Sequence, residues 1–236
     1  MKIQPYGSNA LLIRFDGGIL TENLAAIRHI TTQLKQRYLD HIVDLIPAYD
    51  SILVRYNPEG LSLEEISKFL TTIDHAQHGS EATRKLQIPV CFHSSFALDQ
   101  DRVVELCNMP IEDIKRLLLN KTYQVHMMGF LPGFAFMASV DESIRCSRLS
   151  SPRKAVPAGS LAITGEQIAI YPVSSPGGWN IIGHCPLQVF DVQQEESSLF
   201  RAYDEIRFKP ITLEEHRHIS NLVSSQQFDC HQLVVS

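Results

Sequence analysis

The chain has 236 residues, 44% of them hydrophobic and 20% charged, with a formal net charge of −5. That length admits one large domain or two small ones with ample material for a core. The acidic balance argues against nucleic acid as the main partner, because phosphate binding relies on surplus Lys and Arg. No apolar run approaches the roughly 20 residues a bilayer helix needs, so no membrane span is expected. The N-terminal stretch lacks the h-region and cleavage site of a signal peptide. Five cysteines without CxxC spacing read as reduced thiols, which together points to a cytoplasmic protein.

In chain order, Ala10–Phe15 is a short apolar strand, and Leu24, Ile27, Ile30 and Leu34 recur at helical spacing over about 22–38. Ile42–Ile46 and Ser51–Tyr56 read as strands joined by a turn at 47–50. Ser62 and Glu65 fit a capping box, in which each side chain satisfies an orphan backbone N–H, opening a helix that carries Leu63, Ile66, Phe69, Leu70 and Ile73. The polar stretch 77–83 reads as a loop, and Lys85–Cys91 as the next strand. The order βαββαβ is that of a ferredoxin-like α+β domain. A domain boundary is placed between 84 and 85.

In 85–236, Asp99 is positioned to cap a helix reaching Cys107, and Pro110 suits the first turn of another ending near Asn120. The stretch from Tyr123 to Asp191 is the centre of the chain. Seven of the twelve glycines and six of the twelve prolines lie between Gly129 and Pro186, together with the single tryptophan, Trp179. Gly permits positive φ and Pro fixes φ, so this punctuation predicts short strands and tight turns converging on a cleft. Strands are expected at 161–163, 167–171, 180–182 and 187–191, as in a small barrel, followed by one at 204–208. Thr212 and Glu215 form a second capping box. The tail carries no strong signal.

The standard nucleotide, zinc-protease and serine-hydrolase strings are absent. Ser151-Pro-Arg-Lys154 matches SxxK only as a string, since Pro157 and Gly159 follow and make a poor helix. His75 with His78, and His216 with His218, lack Cys or carboxylate ligands at standard spacing and read as surface, so no metal site is expected. Arg145, Arg148, Arg153 and Lys154 are either a solvated loop or an anion-binding set, since guanidinium groups hold carboxylate or phosphate in forks. Phe130, Phe134 and Phe136 are core, or they wall a ligand pocket. Ser174–Trp179, with Gly177 and Gly178, is a structural turn or a nest of backbone N–H groups. His126 and His184 are either packed histidines or acid–base groups near neutral pH.

Taken together, GFLPGFAFM (129–137), SPRKAVPAGSLAITGEQ (151–167), IYP (170–172) and SSPGGWNIIG (174–183) resemble the KipI family. This family is also called the B component of 5-oxoprolinase, and it is often labelled allophanate hydrolase subunit 1. The similarity extends through IPAYDSILVRYNP (46–58) and IPVCF (88–92). It implies a ferredoxin-like domain followed by a cyclophilin-like β-barrel. It also implies one component of an assembly that opens 5-oxoproline to glutamate with ATP hydrolysis. The other members of that assembly are a KipA-like protein, its C component, and a LamB/YcsF-type protein, its A component. Other branches inhibit a sensor histidine kinase or form the carboxyltransferase part of urea carboxylase. The residues expected to act are Arg148, Arg153 and His126 in catalysis. Phe130, Phe134, Lys154, Gln167, Trp179, Gly177 and Gly178 are expected to bind substrate. The chain departs from the family pattern at Gly183-His184-Cys185 (usually Gly-Arg-Thr), Ser147-Arg148-Leu149 (usually Pro-Arg-Arg) and Gln167-Ile168-Ala169 (usually Gln-Thr-Gly).

Overall fold

The computed structural model describes residues 1–19, 21–73 and 83–235. The expected loop at 77–83, apart from Thr83, and the pair His75 and His78 lie outside the described residues. The chain divides into two compact units, Met1–Ala82 and Thr83–Ser236.

The first unit has four strands, β1 (Lys2–Pro5), β2 (Ala10–Arg14), β3 (Ile42–Pro47) and β4 (Ser51–Tyr56), and two helices, α1 (Thr21–Arg37) and α2 (Leu63–Thr72). Its sheet runs β1-β2-β4-β3 with every neighbouring pair antiparallel. The helical-period residues Leu24, Ile27, Ile30 and Leu34 are all buried, as are Ile52 and Val54 of β4. Each such side chain contributes about 1.5–3 kcal/mol when fully removed from water. The capping box of α2 forms in both directions: Glu65 N–H donates to Ser62 Oγ at 3.2 Å, and Ser62 N–H donates to the Glu65 carboxylate at 2.9 Å.

The expected βαββαβ order does not hold. Lys85–Cys91 is a strand, but it belongs to the second unit, where it pairs in parallel over seven residues with a strand near the C-terminus and buries Leu86, Ile88, Val90 and Cys91. The sheet position beside β2 is taken instead by β1. The sequence of β1, KIQP, carries too little apolar alternation to announce a strand.

The second unit opens with β5 (Lys85–Cys91), α3 (Gln100–Cys107) and α4 (Ile111–Leu119). There follow β6 (Tyr123–Met128), β7 (Ala135–Ala138), β8 (Arg153–Val156), β9 (Ser160–Thr164), β10 (Gln167–Ile170), β11 (Ser175–Gly177) and β12 (Asn180–His184). The chain closes with β13 (Glu205–Ile211), α5 (Leu213–Ser224) and β14 (Val234–Val235). Seven strands in the order β12-β9-β10-β7-β6-β13-β5 form a closed barrel, sealed by β12 against β5, with β14 added on β5. Closure removes free sheet edges. The second capping box, Thr212 with Glu215, forms at α5.

The strand expected at Leu187–Asp191 is not formed. Its alternation is real, since Leu187 and Val189 are buried, but its partner is the short stretch 197–199 rather than a strand: Leu199 N–H donates to Val189 O and Asp191 N–H to Ser197 O. Among the described residues no helix is long and apolar enough to cross a membrane.

Candidate functional site

Two faces of the barrel wall are packed. Leu161, Ile163, Ile168, Ile170 and Ile182 enter the main core with the helices. The alternate residues Ala162, Ala169, Tyr171, Trp179 and Ile181 face a second cluster with Phe134 and Val156. A strand's period of two explains the split: neighbours along one strand serve opposite faces. The small side chains Ala162 and Ala169 leave room for large rings. Phe134 meets Phe130, Tyr171 and Trp179 edge-on at centroid distances of 5.5, 5.3 and 5.8 Å, the arrangement the ring quadrupoles favour. Phe134 and Trp179 are buried, whereas Phe130 is 67% exposed and sits at φ 65. Gly133, at φ 78, lies where an added Cβ would come within 2.6 Å of Phe190 Cβ, so this tight turn requires glycine.

Over this cluster lies the two-stranded β8–β11 ribbon, in which Gly177 pairs with Arg153. An added Cβ on Gly177 would run into the Tyr171 hydroxyl. Burial raises the Tyr171 pKa, while a hydrogen bond from the Trp179 backbone and the charges of Arg148 and Arg153 oppose that rise. Leu149 N–H donates to Gly178 O at 2.7 Å, tying the Arg148 loop to the glycine turn. The arginines, the glycine turn and the aromatic cluster therefore share one locality.

The two arginines differ in availability. Arg153 forks onto Asp99, Nη1 to Oδ2 at 3.0 Å and Nη2 to Oδ1 at 2.7 Å, and Asp99 also accepts Ile181 N–H at 2.7 Å. The side chains are 28% and 6% exposed. This corrects the expected role of Asp99: it occupies the N-cap position of α3, but its carboxylate makes no capping bond and is committed to β8 and β12. Arg148 is exposed and, among the described residues, makes no ion pair.

The remaining expected residues are placed as follows. Lys154 is exposed on β8 beside Arg153, and Gln167 is half-buried on β10 opposite Thr164 and Ala138. Among the described residues, no hydrogen bond or ion pair joins either side chain to the aromatic cluster. His126 occupies the β-bulge of β6, between the pairs Val125–Met137 and Met127–Phe136. It is buried, and desolvation pushes its pKa down to about 4, so the ring is neutral at physiological pH.

Several residues that matter here gave little sign in the sequence. Asn180 is fully buried and cross-links three segments: Nδ2 donates to Ser147 O and Ile163 O, and Oδ1 accepts from Arg102 Nε. His216, expected at the surface, is buried and lies 2.9 Å from His184 through Nε2 and Nδ1. The reason is the α5 register, which turns it onto the barrel beside Phe96. Because the Ala158 carbonyl, 2.8 Å away, can only accept, the neutral His184 ring donates from Nε2 and accepts at Nδ1 from His216. A strand-and-helix encounter of this kind has no local signal. Among the described residues no cluster of three or more His, Cys, Asp or Glu is arranged to hold a metal ion.

Residues 1–200 match the family described as carboxyltransferase domain, subdomain C and D. The chain is 32% identical over 228 residues to the 5-oxoprolinase B subunit of Bacillus subtilis (strain 168), covering 91% of this chain and 95% of that protein. Among solved structures, TTHA0988 is 31% identical with a TM-score of 0.75 over 86% of this chain, and the match spans only 40% of that longer chain. The Kluyveromyces lactis urea amidolyase shares the fold at a TM-score of 0.76 and 17% identity, with 96% of this chain matching 16% of that one. The chain thus belongs to the carboxyltransferase subdomain C and D family, among the relatives named as the B component of 5-oxoprolinase.

Proposed function

We propose that this chain is the B component of a cytoplasmic, ATP-dependent 5-oxoprolinase, inactive alone and completed by a KipA-like C component and a LamB/YcsF-type A component. The observation that carries this reading is the end-to-end match to the Bacillus subtilis protein of that name. The same reading takes the second unit as a cyclophilin-like barrel. It takes the first as a ferredoxin-like sheet in which β1 holds the place of the usual last strand. The free cysteines support a reducing compartment.

ATP supplies the phosphoryl group that makes the lactam carbonyl carbon open to attack by water. Arg148 and the backbone turn at Gly177–Gly178 suit one anionic group, a carboxylate or a phosphate. This chain has no glycine-rich phosphate loop, so the rest of the ATP site falls to a partner. In this reading Arg148 neutralises the anion, and Arg153 with Asp99 positions the β8–β11 ribbon. Phe130, Phe134 and Trp179 form the apolar wall, Lys154 and Gln167 orient groups at the margins, and the neutral His126 stays buried in the β6 bulge.

The test is to tag the chain in its own host, purify it gently, and assay ATP-dependent glutamate formation from 5-oxoproline. Activity that travels with two co-purifying proteins, and is absent from the isolated chain, is the expected result. An inactive eluate carrying a histidine kinase would replace this reading with a kinase inhibitor. The family description favours one further reading, a carboxyltransferase component. It requires a biotin-bearing protein in the eluate.

A further inference from the structure

The sulfur atoms of Cys107 and Cys146 lie 3.5 Å apart although the residues are 39 positions apart in the chain. Among the described residues no other two cysteine sulfurs are in contact. Cys107 is the last residue of α3, followed by Asn108 as a left-handed cap at φ 49, so its position at the helix end is well defined. Cys146 is 2% exposed and bridges Gly165 in backbone pairing, its sulfur also 3.5 Å from Ile144 O. A disulfide needs sulfurs about 2.05 Å apart, a closure of about 1.5 Å, within reach of side-chain rotation and small backbone adjustment.

We propose that Cys107 and Cys146 form a reversible disulfide under peroxide, a modification site that ties α3 to the segment carrying the candidate arginines. The two residues differ in access, and this sets the order of events. Cys107 is half-buried and can meet a small oxidant, whereas Cys146 is enclosed. The Cys107 thiol gives up its proton, its sulfur attacks one peroxide oxygen and the O–O bond breaks; the sulfur keeps one OH as a sulfenic acid, and the departing hydroxide takes up the thiol's proton as water. Cys146 sulfur then attacks Cys107 sulfur and the S–O bond breaks. The departing hydroxide takes the Cys146 proton as a second water. Two thiols have been oxidised by two electrons, and one hydrogen peroxide has been reduced to two waters. Burial pushes the Cys146 thiol up to about 12. That keeps Cys146 protonated and leaves Cys107 as the thiol that meets oxidant first, while the 3.5 Å contact is what lets Cys146 reach the Cys107 sulfenic acid.

The site has a structural consequence. At its N-terminal end α3 is already joined to this segment by the Asp99–Arg153 fork. Between the two ends, Arg102 of α3 holds Asn180, which in turn holds the Ser147 carbonyl. A disulfide at the other end would pin α3 to residues 146–153 at both ends, with Arg148 between the anchors. Dithiol reductants reverse it.

The experiment uses the full-length chain, treated with a small excess of hydrogen peroxide, blocked with an alkylating reagent, and digested without reduction. The expected result is one cross-linked peptide pair joining Cys107 to Cys146, lost on dithiothreitol and absent from Cys107→Ser and Cys146→Ala. The oxidised wild type should melt above its reduced form by up to roughly 8–16 °C, the ceiling that loop-closure entropy sets for this span. Both variants should lack that increment. Recovery of Cys107 and Cys146 as alkylated thiols, or as separate sulfinic acids, in a complete peptide map would overturn the proposal. So would a cross-link from either of them to Cys91, Cys185 or Cys230. None of these readouts depends on catalytic activity.

Discussion

Removing Asp99 tests whether the buried fork organises the candidate site. Asp99→Ala leaves Arg153 without both of its bonds and leaves Ile181 N–H, in a fully buried stretch of β12, without its acceptor. An unsatisfied buried donor costs about 1–3 kcal/mol and a broken buried ion pair about 3–5 kcal/mol. Arg153 retains 28% exposure and can recover part of its hydration, so the ion-pair share is cut by about half. A loss of about 2.5–5.5 kcal/mol is expected for Asp99→Ala. Arg153→Ala should lose about 2 kcal/mol, since Asp99 keeps the Ile181 N–H. In a double-mutant cycle the coupling between the two should be about 1.5–2 kcal/mol. The assay is urea unfolding followed by the fluorescence of Trp179, the single tryptophan, which is buried two residues from Ile181 and reports this unit. Arg153→Lys should restore less than half of the coupling, because an ammonium cannot make the two parallel bonds. A coupling below about 0.5 kcal/mol would refute the reasoning, and the fork would then be an ordinary surface-type pair.

Arg148 is exposed and unpaired among the described residues, so Arg148→Ala should change unfolding by less than about 0.5 kcal/mol. In the assembled complex it should lower kcat/KM for 5-oxoproline at least about tenfold, the loss of one charge-assisted contact; unchanged kinetics would remove it from the site. Gly177→Ala drives a methyl group into the Tyr171 hydroxyl and should cost about 1–3 kcal/mol in the same unfolding assay. His126 has a folded pKa of about 4, below its ordinary value of 6.5, because burial disfavours the charged ring. The unfolded chain therefore binds the extra proton between about pH 6.5 and 4, and stability should fall across that window on acidification by about 2–4 kcal/mol. Measured by urea titrations at several pH values, His126→Gln should flatten that slope by up to one proton; an unaltered slope would assign it to other groups.

What was legible in the sequence was local. The helical period of Leu24, Ile27, Ile30 and Leu34, the two capping boxes, and the turns of the glycine- and proline-rich stretch all follow from preferences spanning a few residues. α1, α2, α5, β9, β10 and β12 lie where those signals put them. Within the motifs, Gly133 is fixed by a positive φ together with a close approach, and Gly177 by a close approach alone, both local demands that glycine meets.

Pairing at a distance was decided only by tertiary structure. Lys85–Cys91 reads as a strand in any context, but whether it completes the first sheet or the barrel depends on the seven-residue parallel register with β13, more than a hundred residues away. β8 and β11, RKAV and SPG, lack apolar alternation and exist as strands because each supplies the other's hydrogen bonds over an aromatic cluster. The same holds for the charges. Arg148 and Arg153 look alike in sequence, and only the fold brings Asp99 to one of them and leaves the other open. Hydrophobic period and backbone preference are properties of neighbouring residues. The partner of a strand, a carboxylate or a thiol is a property of the closed barrel.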